Sequence, residues 1–190
     1  MDITVIAFLA LLLAVGLLRL FELSVSRRHQ RQMAADGATK VAEPQFPWMV
    51  FVHTAILIGA ALEVVFLRRP FLPLLAATMF LLFLGANAVR LWVVRTMGKH
   101  WNVQIMNSTS LGVVTNGPFR FVRHPNYAAV FVEMVSLPLI HTAWITAVLG
   151  CIGCLATLSR RIALEESVLC ANPAYRTAMA GKPRFLPGLF

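Results

Sequence analysis

Four long apolar stretches dominate the sequence, and short polar segments separate them. They cover residues 3–18, 48–67, 71–94 and 128–158. A helix that crosses a bilayer needs about 20 apolar residues, and the last stretch is long enough for two helices that meet in a turn at residues 138–142. The pattern therefore predicts an all-α, polytopic integral membrane protein with about five transmembrane helices.

The spacing of these stretches indicates a single domain over residues 1–190. Residues 1–69 supply two N-terminal helices, the first of which is predicted to continue to about Arg28, and residues 70–190 form the remaining core. The polar segment at residues 98–127 is too long for an ordinary connection between helices. Long loops of this kind usually carry function.

Composition supports the membrane assignment. Hydrophobic residues make up 58% of the chain and charged residues 13%, so the chain has more apolar surface than a core of this size can bury. The surplus is expected to face the lipid bilayer. The net charge of +9 is spread along the chain in short clusters, so we expect no nucleic-acid partner.

The distribution of Lys and Arg predicts how the chain is oriented. These residues follow the first, third and last apolar stretches and are missing from residues 138–142. Because Lys and Arg beside short loops stay on the cytoplasmic side, we expect the N-terminus outside and the C-terminus in the cytoplasm. Arg68 and Arg69 depart from this rule. The first stretch lacks a basic region before it and is interpreted as a retained helix, not a signal peptide.

Cys151 and Cys154 form a C-x-x-C motif, a spacing found in metal and redox sites. Both lie inside an apolar stretch, without a second cysteine pair or a histidine cluster nearby in the sequence. Buried cysteines in such a setting usually pack as small apolar residues. We therefore expect no metal site.

One polar motif stands out in the segment before the last apolar stretch. It reads Gly117-Pro118-Phe119-Arg120-Phe121-Val122-Arg123-His124-Pro125-Asn126-Tyr127. The two prolines restrict the residues before them to extended conformations, which predicts a shaped loop that ends at a helix start. The arginines in such a loop can bind a carboxylate, and the alternative is a basic anchor for anionic lipid.

This motif resembles the signature of the isoprenylcysteine carboxyl methyltransferase family and of the related phospholipid N-methyltransferases. Two further segments match in order. The upstream segment is Arg90-Leu91-Trp92 with Thr96-Met97-Gly98. The downstream segment is Arg161-Ile162 with Glu165-Glu166, Tyr175 and Pro183-Arg184-Phe185-Leu186-Pro187. Two positions depart from the family pattern: Ala129 replaces a usual glycine, and Ala178 replaces a second tyrosine.

The resemblance implies a small membrane enzyme whose C-terminal half encloses S-adenosylmethionine in a cytoplasmic pocket. It implies that the pocket opens to the cytosol for the cofactor and to the bilayer for the acceptor. The residues expected to bind the cofactor are Arg120, Arg123, His124, Pro125, Tyr127, Glu165 and Glu166. For the glutamates the alternative is a helical ion pair between Arg161 and Glu165. Two antiparallel arms in the last stretch would bring Arg123 and His124 close to Glu165 and Glu166, although some forty residues separate them.

The N-terminal third resembles one bacterial branch of the family. The matching residues are Arg19-Leu20-Phe21-Glu22-Leu23, Ser26-Arg27-Arg28-His29, Pro47-Trp48-Met49-Val50, His53 and Glu63-Val64. The resemblance implies O-methylation of alkylpyrones or alkylresorcinols alongside a type III polyketide synthase pathway, in the bacterial inner membrane. The alternatives are carboxyl methylation of an isoprenylcysteine, N-methylation of a phospholipid, a non-catalytic membrane protein or a membrane reductase with a nicotinamide cofactor.

Ionisable residues inside the apolar stretches are the candidates for catalysis, because an uncompensated charge in a bilayer is costly. Arg90, Glu133 and Glu63 are the expected catalytic residues, and Arg90 is the first choice because it also lies in a family-matched segment. The structural alternative is an ion pair of Arg90 with Glu63 or Glu133. His53 is expected near the outer face, away from the cofactor.

Overall fold

Helices account for most of the structure. The computed structural model describes residues 2–108 and 112–185. Within these residues the chain forms the helices α1 (Ile3–Ala35), α2 (Phe46–Phe66), α3 (Pro73–Met97), α4 (Pro125–Leu139), α5 (Trp144–Leu169) and α6 (Pro173–Met179). Short 3₁₀ helices lie at Gly98–His100 and Gly117–Arg120. Strands β1 (Thr39–Lys40) and β2 (Met106–Asn107) form a small antiparallel ladder.

Four of these helices are long and apolar enough to cross a membrane: α1, α2, α3 with the 3₁₀ turn that follows it, and α5. Helix α4 has 15 residues, or about 22 Å at 1.5 Å per residue, and is largely buried between its neighbours. Leucines and phenylalanines such as Leu74 and Phe66, which are 84% and 74% exposed, cover the outer surface. The predicted all-α, polytopic membrane class is confirmed.

Glycines allow α2 and α5 to pack closely. A Cβ atom on Gly150 would lie 2.8 Å from the side chain of Ile56, and one on Gly153 would lie 3.2 Å from the side chain of Val52. In lipid, helices associate through such close contacts and not through the hydrophobic effect. Cys154 is buried in the same cluster of apolar side chains, as expected of a cysteine that packs as a small apolar residue.

The long loop between α3 and α4 and the ends of α1 and α5 lie at one end of the bundle, which we call the loop end. The turns that join α2 to α3 and α4 to α5 lie at the opposite end. There, Glu63 accepts hydrogen bonds from the backbone N–H groups of Ile145 and Thr146, at 3.1 and 2.7 Å, at the start of α5. Arg69 pairs with the same carboxylate at 2.7 Å. Glu63 therefore caps a helix and is paired locally.

Helix α1 continues beyond the predicted end near Arg28 as far as Ala35. Contacts with the long loop explain the extension. Ser26 accepts a hydrogen bond from the backbone N–H of Val103 at 2.9 Å, and the His29 ring bonds the Trp101 carbonyl at 2.6 Å. The chain turns away from the helix at Gly37, two residues after its end, and the φ of +88° at this position suits glycine.

The ladder of β1 and β2 was not predicted from the sequence. Thr39 pairs with Asn107 and Lys40 with Met106, and the N–H of Val41 bonds the carbonyl of Ile105 at 3.0 Å. Two-residue strands are too short to show an alternating pattern. The ladder ties the connection between α1 and α2 to the long loop, and so fixes the loop at the loop end.

Replacing Glu63 should destabilise the fold. In Glu63→Gln an amide group would face backbone donors and Arg69, so we expect the free energy of unfolding to fall by about 1–3 kcal/mol. Thermal unfolding in detergent measures this change. The control is Lys99→Gln, which breaks the exposed pair of Lys99 with Asp36 and should cost about 1 kcal/mol or less. Equal losses in the two variants would contradict the capping role.

Candidate active site

The last two long helices bring two distant polar clusters together, as predicted. Helix α4 begins where α5 ends, and the His124 ring lies 3.0 Å from the carboxylate of Glu166. The guanidinium of Arg123 lies 3.1 Å from the same carboxylate. One helical turn further along, the hydroxyl of Tyr127 donates a hydrogen bond to Glu165. The two polar ends of the hairpin thus meet at the loop end.

Residues 117–124, which carry the motif and which we call the motif loop, lie against the end of α3. Gly117 has a φ of +56°, and a Cβ atom at this position would lie 2.8 Å from the methyl group of Thr96. Only glycine fits this backbone and this space together. Pro118 is buried in the following 3₁₀ turn, and Pro125 starts α4, where proline needs no hydrogen-bond partner.

Residues 182–184, which we call the tail, are hydrogen-bonded to the motif loop on its other side. The backbone N–H groups of Arg123 and His124 donate to the carbonyls of Pro183 and Arg184, each at 2.9 Å. The ammonium of Lys182 donates to the carbonyl of Phe119 at 2.7 Å. This backbone pairing accounts for the downstream motif at Pro183 and Arg184, while Leu186 and Pro187 lie outside the described residues.

The side chain of Arg184 completes this contact. Its guanidinium donates two hydrogen bonds to Glu166, at 3.1 and 2.6 Å. These bonds and the charge of the carboxylate raise the pKa of Arg184. Glu166 therefore pairs with two arginines, Arg123 and Arg184, contacts the His124 ring, and links residues 182–184 to the motif loop.

A cavity of about 660 Å³ opens inside the loop end, within the range of small-molecule sites. Its polar half includes Tyr127, Glu165 and Asn172. Its apolar half lies between α1 and α2, where the wall includes Leu13 and Leu17. Both leucines are more than half exposed, at 64% and 57%, so the apolar half is open between these helices.

The cavity wall contains most of the residues that we expect to bind a cofactor. Those on the wall are Arg123, His124, Pro125, Tyr127 and Glu165. The other two are not on it: Glu166 holds the tail, and the guanidinium of Arg120 lies over the Phe121 ring, 5.8 Å from its centre. The structure therefore places Glu165, and not Glu166, where a ligand can be contacted.

The expected catalytic residues have different positions. Arg90 is on the cavity wall. Glu63 caps α5 at the opposite end, which removes it from the candidate site. Glu133 is 1% exposed and accepts a hydrogen bond from Arg19, so it holds a cavity residue without lining the cavity itself. His53, which was expected near the outer face, is also on the wall. That expectation was wrong because α2 begins at the loop end.

Arg90 pairs with a residue that the sequence did not suggest. Its partner is Glu22, at 3.0 and 2.6 Å, instead of Glu63 or Glu133. Glu22 also accepts a hydrogen bond from Arg19, which in turn reaches Glu133. Arg90, Glu22, Arg19 and Glu133 thus form a continuous row of ion pairs, with two arginines and two glutamates, that joins α3, α1 and α4. Arg19 and Glu22 lie about one helical turn apart, directly after the first apolar stretch, and this spacing was the available signal.

Arg161 belongs to a second polar cluster. Its guanidinium lies 2.9 Å from Glu43 and donates to the hydroxyl of Tyr127 at 2.8 Å and to the carbonyl of Val103 at 2.6 Å. The ion pair that Arg161 forms is with Glu43 and not with Glu165, which was the structural alternative to a role of Glu165 in the cofactor site. Arg161 therefore positions Tyr127 and the long loop at the cavity.

Two further groups in the polar half bear on what the cavity can hold. Burial, followed by the charge of Glu165, raises the pKa of Tyr175 to about 12, so this tyrosine stays protonated and can donate. The amide oxygen of Asn126 is buried and has no hydrogen-bond partner among residues 2–108 and 112–185. A buried polar atom without a partner is costly. A nucleoside ligand with amino and hydroxyl groups fits these residues.

A polytopic helical bundle with a ligand-sized cavity at one membrane face defines a class of membrane proteins that act on small molecules. The model of the isoprenylcysteine carboxyl methyltransferase (ICMT) family matches residues 77–171. The chain belongs to this family and is a membrane methyltransferase of it. The match covers most of α3, the motif loop, α4 and α5, which supply Tyr127 and Glu165 to the polar half of the cavity, whereas Asn172 and Tyr175 follow the matched residues.

Two bacterial proteins are similar to this chain. YpbQ of Bacillus subtilis is 28% identical over 155 residues, which cover 80% of this chain and 89% of YpbQ. A protein of Haemophilus influenzae is 28% identical over 153 residues, which cover 80% of this chain and 88% of that protein.

Among solved structures, the eukaryotic intramembrane Ras methyltransferase ICMT has a similar fold. The TM-score is 0.58 at 19% identity, and the similarity covers 79% of this chain and 56% of that enzyme. The chain thus spans little more than half the length of the eukaryotic enzyme. At this identity the similarity shows the fold alone.

Replacing Gly117 should disturb the site. In Gly117→Ala the added methyl group would press on Thr96, so we expect the motif loop to shift and the melting temperature to fall. Gly98→Ala is a matched control, because Gly98 has nearly the same φ, +54°, with no atom near its Cβ position. Thermal unfolding compares the two variants. A loss in Gly117→Ala no larger than in Gly98→Ala would contradict the close contact.

Proposed function

We propose that this chain is an S-adenosylmethionine-dependent methyltransferase that O-methylates a lipophilic hydroxy acceptor such as an alkylpyrone or an alkylresorcinol. The observation that carries the proposal is the form of the cavity. One continuous space joins a polar half, suited to a nucleoside, to an apolar half that opens between α1 and α2. An enzyme that joins a water-soluble donor to a membrane-dissolved acceptor needs both halves.

The polar half is the proposed cofactor site. S-adenosylmethionine, when bound, supplies an activated methyl group on a sulfonium. In this site Glu165 offers a carboxylate to ribose hydroxyls or to the amino-acid ammonium, and Arg123 offers a cation to the carboxylate. The unpartnered amide oxygen of Asn126 accepts a further hydrogen bond. Tyr127 is held in place by Arg161 and Glu165.

The apolar half is the proposed acceptor site. Leu13, Leu17 and Leu20 lie along one side of α1 and form part of its wall, where an alkyl chain can lie without leaving the lipid. Arg90 and Arg19 are on the wall beside this apolar surface. They are positioned to orient the oxygen atom that receives the methyl group. Alignment of donor and acceptor in a site with little water contributes much of the acceleration of such transfers.

The acceptor assignment rests on the N-terminal helices. Arg19, Glu22 and His53 lie in segments that resemble the branch associated with type III polyketide synthases, and all three are on the cavity wall. Such a pathway is the proposed source of the acceptor. An isoprenylcysteine carboxylate and a phospholipid amine are the competing acceptors within the family.

The proposed location is the bacterial inner membrane, with the N-terminus outside and the loop end in the cytoplasm. Arg27, Arg28, Arg31 and Arg95 lie near this end, whereas Arg68 and Arg69 lie at the opposite end. The ion pair of Arg69 with Glu63 neutralises one of these two charges. This orientation gives the cofactor access from the cytosol.

Loss of the Glu165 carboxylate should weaken cofactor binding. We expect Glu165→Gln to lower the affinity for S-adenosylhomocysteine about tenfold or more, because a hydrogen bond to a charged group contributes about 1.5–3 kcal/mol. Calorimetric titration measures the affinity. The control is Arg160→Gln, at an exposed position on the same helix, which should bind as the original protein does. Unchanged affinity in Glu165→Gln would move the site elsewhere.

The acceptor class is tested with the purified protein and S-adenosylmethionine labelled in its methyl group. We expect label in an alkylresorcinol or an alkylpyrone, and none in a farnesylcysteine analogue or in phosphatidylethanolamine. Label in either of the last two would overturn the acceptor assignment and leave the methyltransferase assignment in place.

A further inference from the structure

His53 lies on the cavity wall with one ring nitrogen engaged. Its Nδ1 atom is 2.7 Å from the carbonyl oxygen of Met49, one helical turn earlier. A carbonyl oxygen only accepts, so Nδ1 carries the hydrogen and Nε2 keeps its lone pair. In the described part of the chain, Nε2 has no hydrogen-bond partner. The bond to the Met49 carbonyl therefore fixes the tautomer in which Nε2 of His53 can accept a proton.

The surroundings of His53 place it between the two halves of the cavity. Arg19 and Arg90 act on the ring through their charges, as does Arg161. Arg161 also contacts the sulfur of Met49 at 3.5 Å and donates to Tyr127 in the polar half. His53 is therefore near Arg19 and Arg90, the arginines proposed to orient the acceptor. Arg161 connects its surroundings to Tyr127 in the polar half of the cavity.

The other acidic and basic groups on the described cavity wall are mostly engaged. Glu22 accepts from Arg19 and Arg90. Glu165 accepts from Tyr127. His124 is bonded to Glu166 outside the wall. His100 is also on the wall and lies at the end of the short 3₁₀ helix that follows α3.

We propose that His53 is the general base that removes the proton of the acceptor hydroxyl, and that the acceptor is therefore a phenol of the resorcinol type. The inference rests on the proposed function and names its substrate class. A phenol titrates near pH 10, as tyrosine does, and is protonated at neutral pH. A 4-hydroxy-2-pyrone is a vinylogous acid that is already ionised, so it needs no base.

The proton and electrons balance in a single displacement. Nε2 of His53 accepts the hydroxyl proton, and the electron pair on the phenol oxygen forms the new bond to the methyl carbon. The bond from that carbon to the sulfonium breaks, and its electron pair stays on the sulfur as a neutral thioether. The imidazolium then gives its proton to water.

The test compares two acceptors in one variant. His53→Asn keeps an amide N–H for the Met49 carbonyl and removes the base. With an alkylresorcinol, kcat should fall about a hundredfold or more, as is typical when a general base is lost. With a matched alkylated 4-hydroxy-2-pyrone, kcat should change less than threefold. The ratio of the two rates controls for folding and for cofactor binding.

The pH profile gives a second readout. In the original protein, the rate with the resorcinol should reach its plateau at a lower pH than in His53→Asn, where the rate follows the ionisation of the phenol itself. The charged groups that face His53 are Arg19 and Glu22 from α1, Arg90 from α3 and Arg161 from α5. They are the same in both proteins.

A binding measurement needs no methyl transfer. An alkylated nitrophenol absorbs visible light only as the phenolate, so its spectrum reports proton removal in the cavity. We expect a smaller phenolate fraction in His53→Asn than in the original protein at the same pH and saturation. Equal spectra and an unchanged resorcinol rate would overturn the inference, as would a loss that follows His100→Asn instead.

The failures of the two proposals can be told apart. If the protein methylates the pyrone and not the resorcinol, the base and the phenol are wrong and the proposed function stands. If it binds S-adenosylhomocysteine and methylates neither hydroxyl compound, the proposed function fails and the inference fails with it.

Discussion

Charged side chains inside the lipid-facing helices have to be paired, and this constraint determines how the helices are arranged. Lipid is as apolar as leucine, so the hydrophobic effect does not bring these helices together. Breaking a buried ion pair by removing one partner costs about 3–5 kcal/mol. The pairs each join different parts of the chain: Arg19 with Glu133, Arg90 with Glu22, Arg161 with Glu43, and Arg69 with Glu63. The first two pairs join α1 to α4 and α3 to α1 and so restrict how these three helices rotate about their axes, whereas Glu43 lies in the segment before α2.

The same pairs build the chemistry of the cavity. Arg90 and Arg161 are held by carboxylates from the N-terminal region, Glu22 and Glu43. The N-terminal part of the chain therefore shapes a site whose recognisable motifs lie in the C-terminal part. Under the proposed function, changes in the N-terminal helices would alter the acceptor half of the cavity and leave the side chains of the cofactor half in place. This division is consistent with the family model, which matches residues 77–171 only.

The helices followed from the lengths of the apolar stretches, and the meeting of the two polar clusters followed from the antiparallel hairpin. The choice of ion-pair partners did not, because it depends on how each helix is rotated, and periodicity in a uniformly apolar helix does not show this. Arg90, which the sequence suggested as a catalytic residue, lies on the cavity wall, but its partner Glu22 was not foreseen. His53 was placed at the wrong depth, since the direction of α2 follows from the turn before it and not from the local sequence.

The bonds from the tail to the motif loop have a consequence for how the protein is made. The backbone N–H groups of Arg123 and His124 donate to the carbonyls of Pro183 and Arg184, which the ribosome adds after the helices α1 to α6. Throughout synthesis of those helices, the loop lacks these acceptors. The polar half of the cavity is therefore completed only after residues 183 and 184 have been added, when the helices that surround it have already been synthesised.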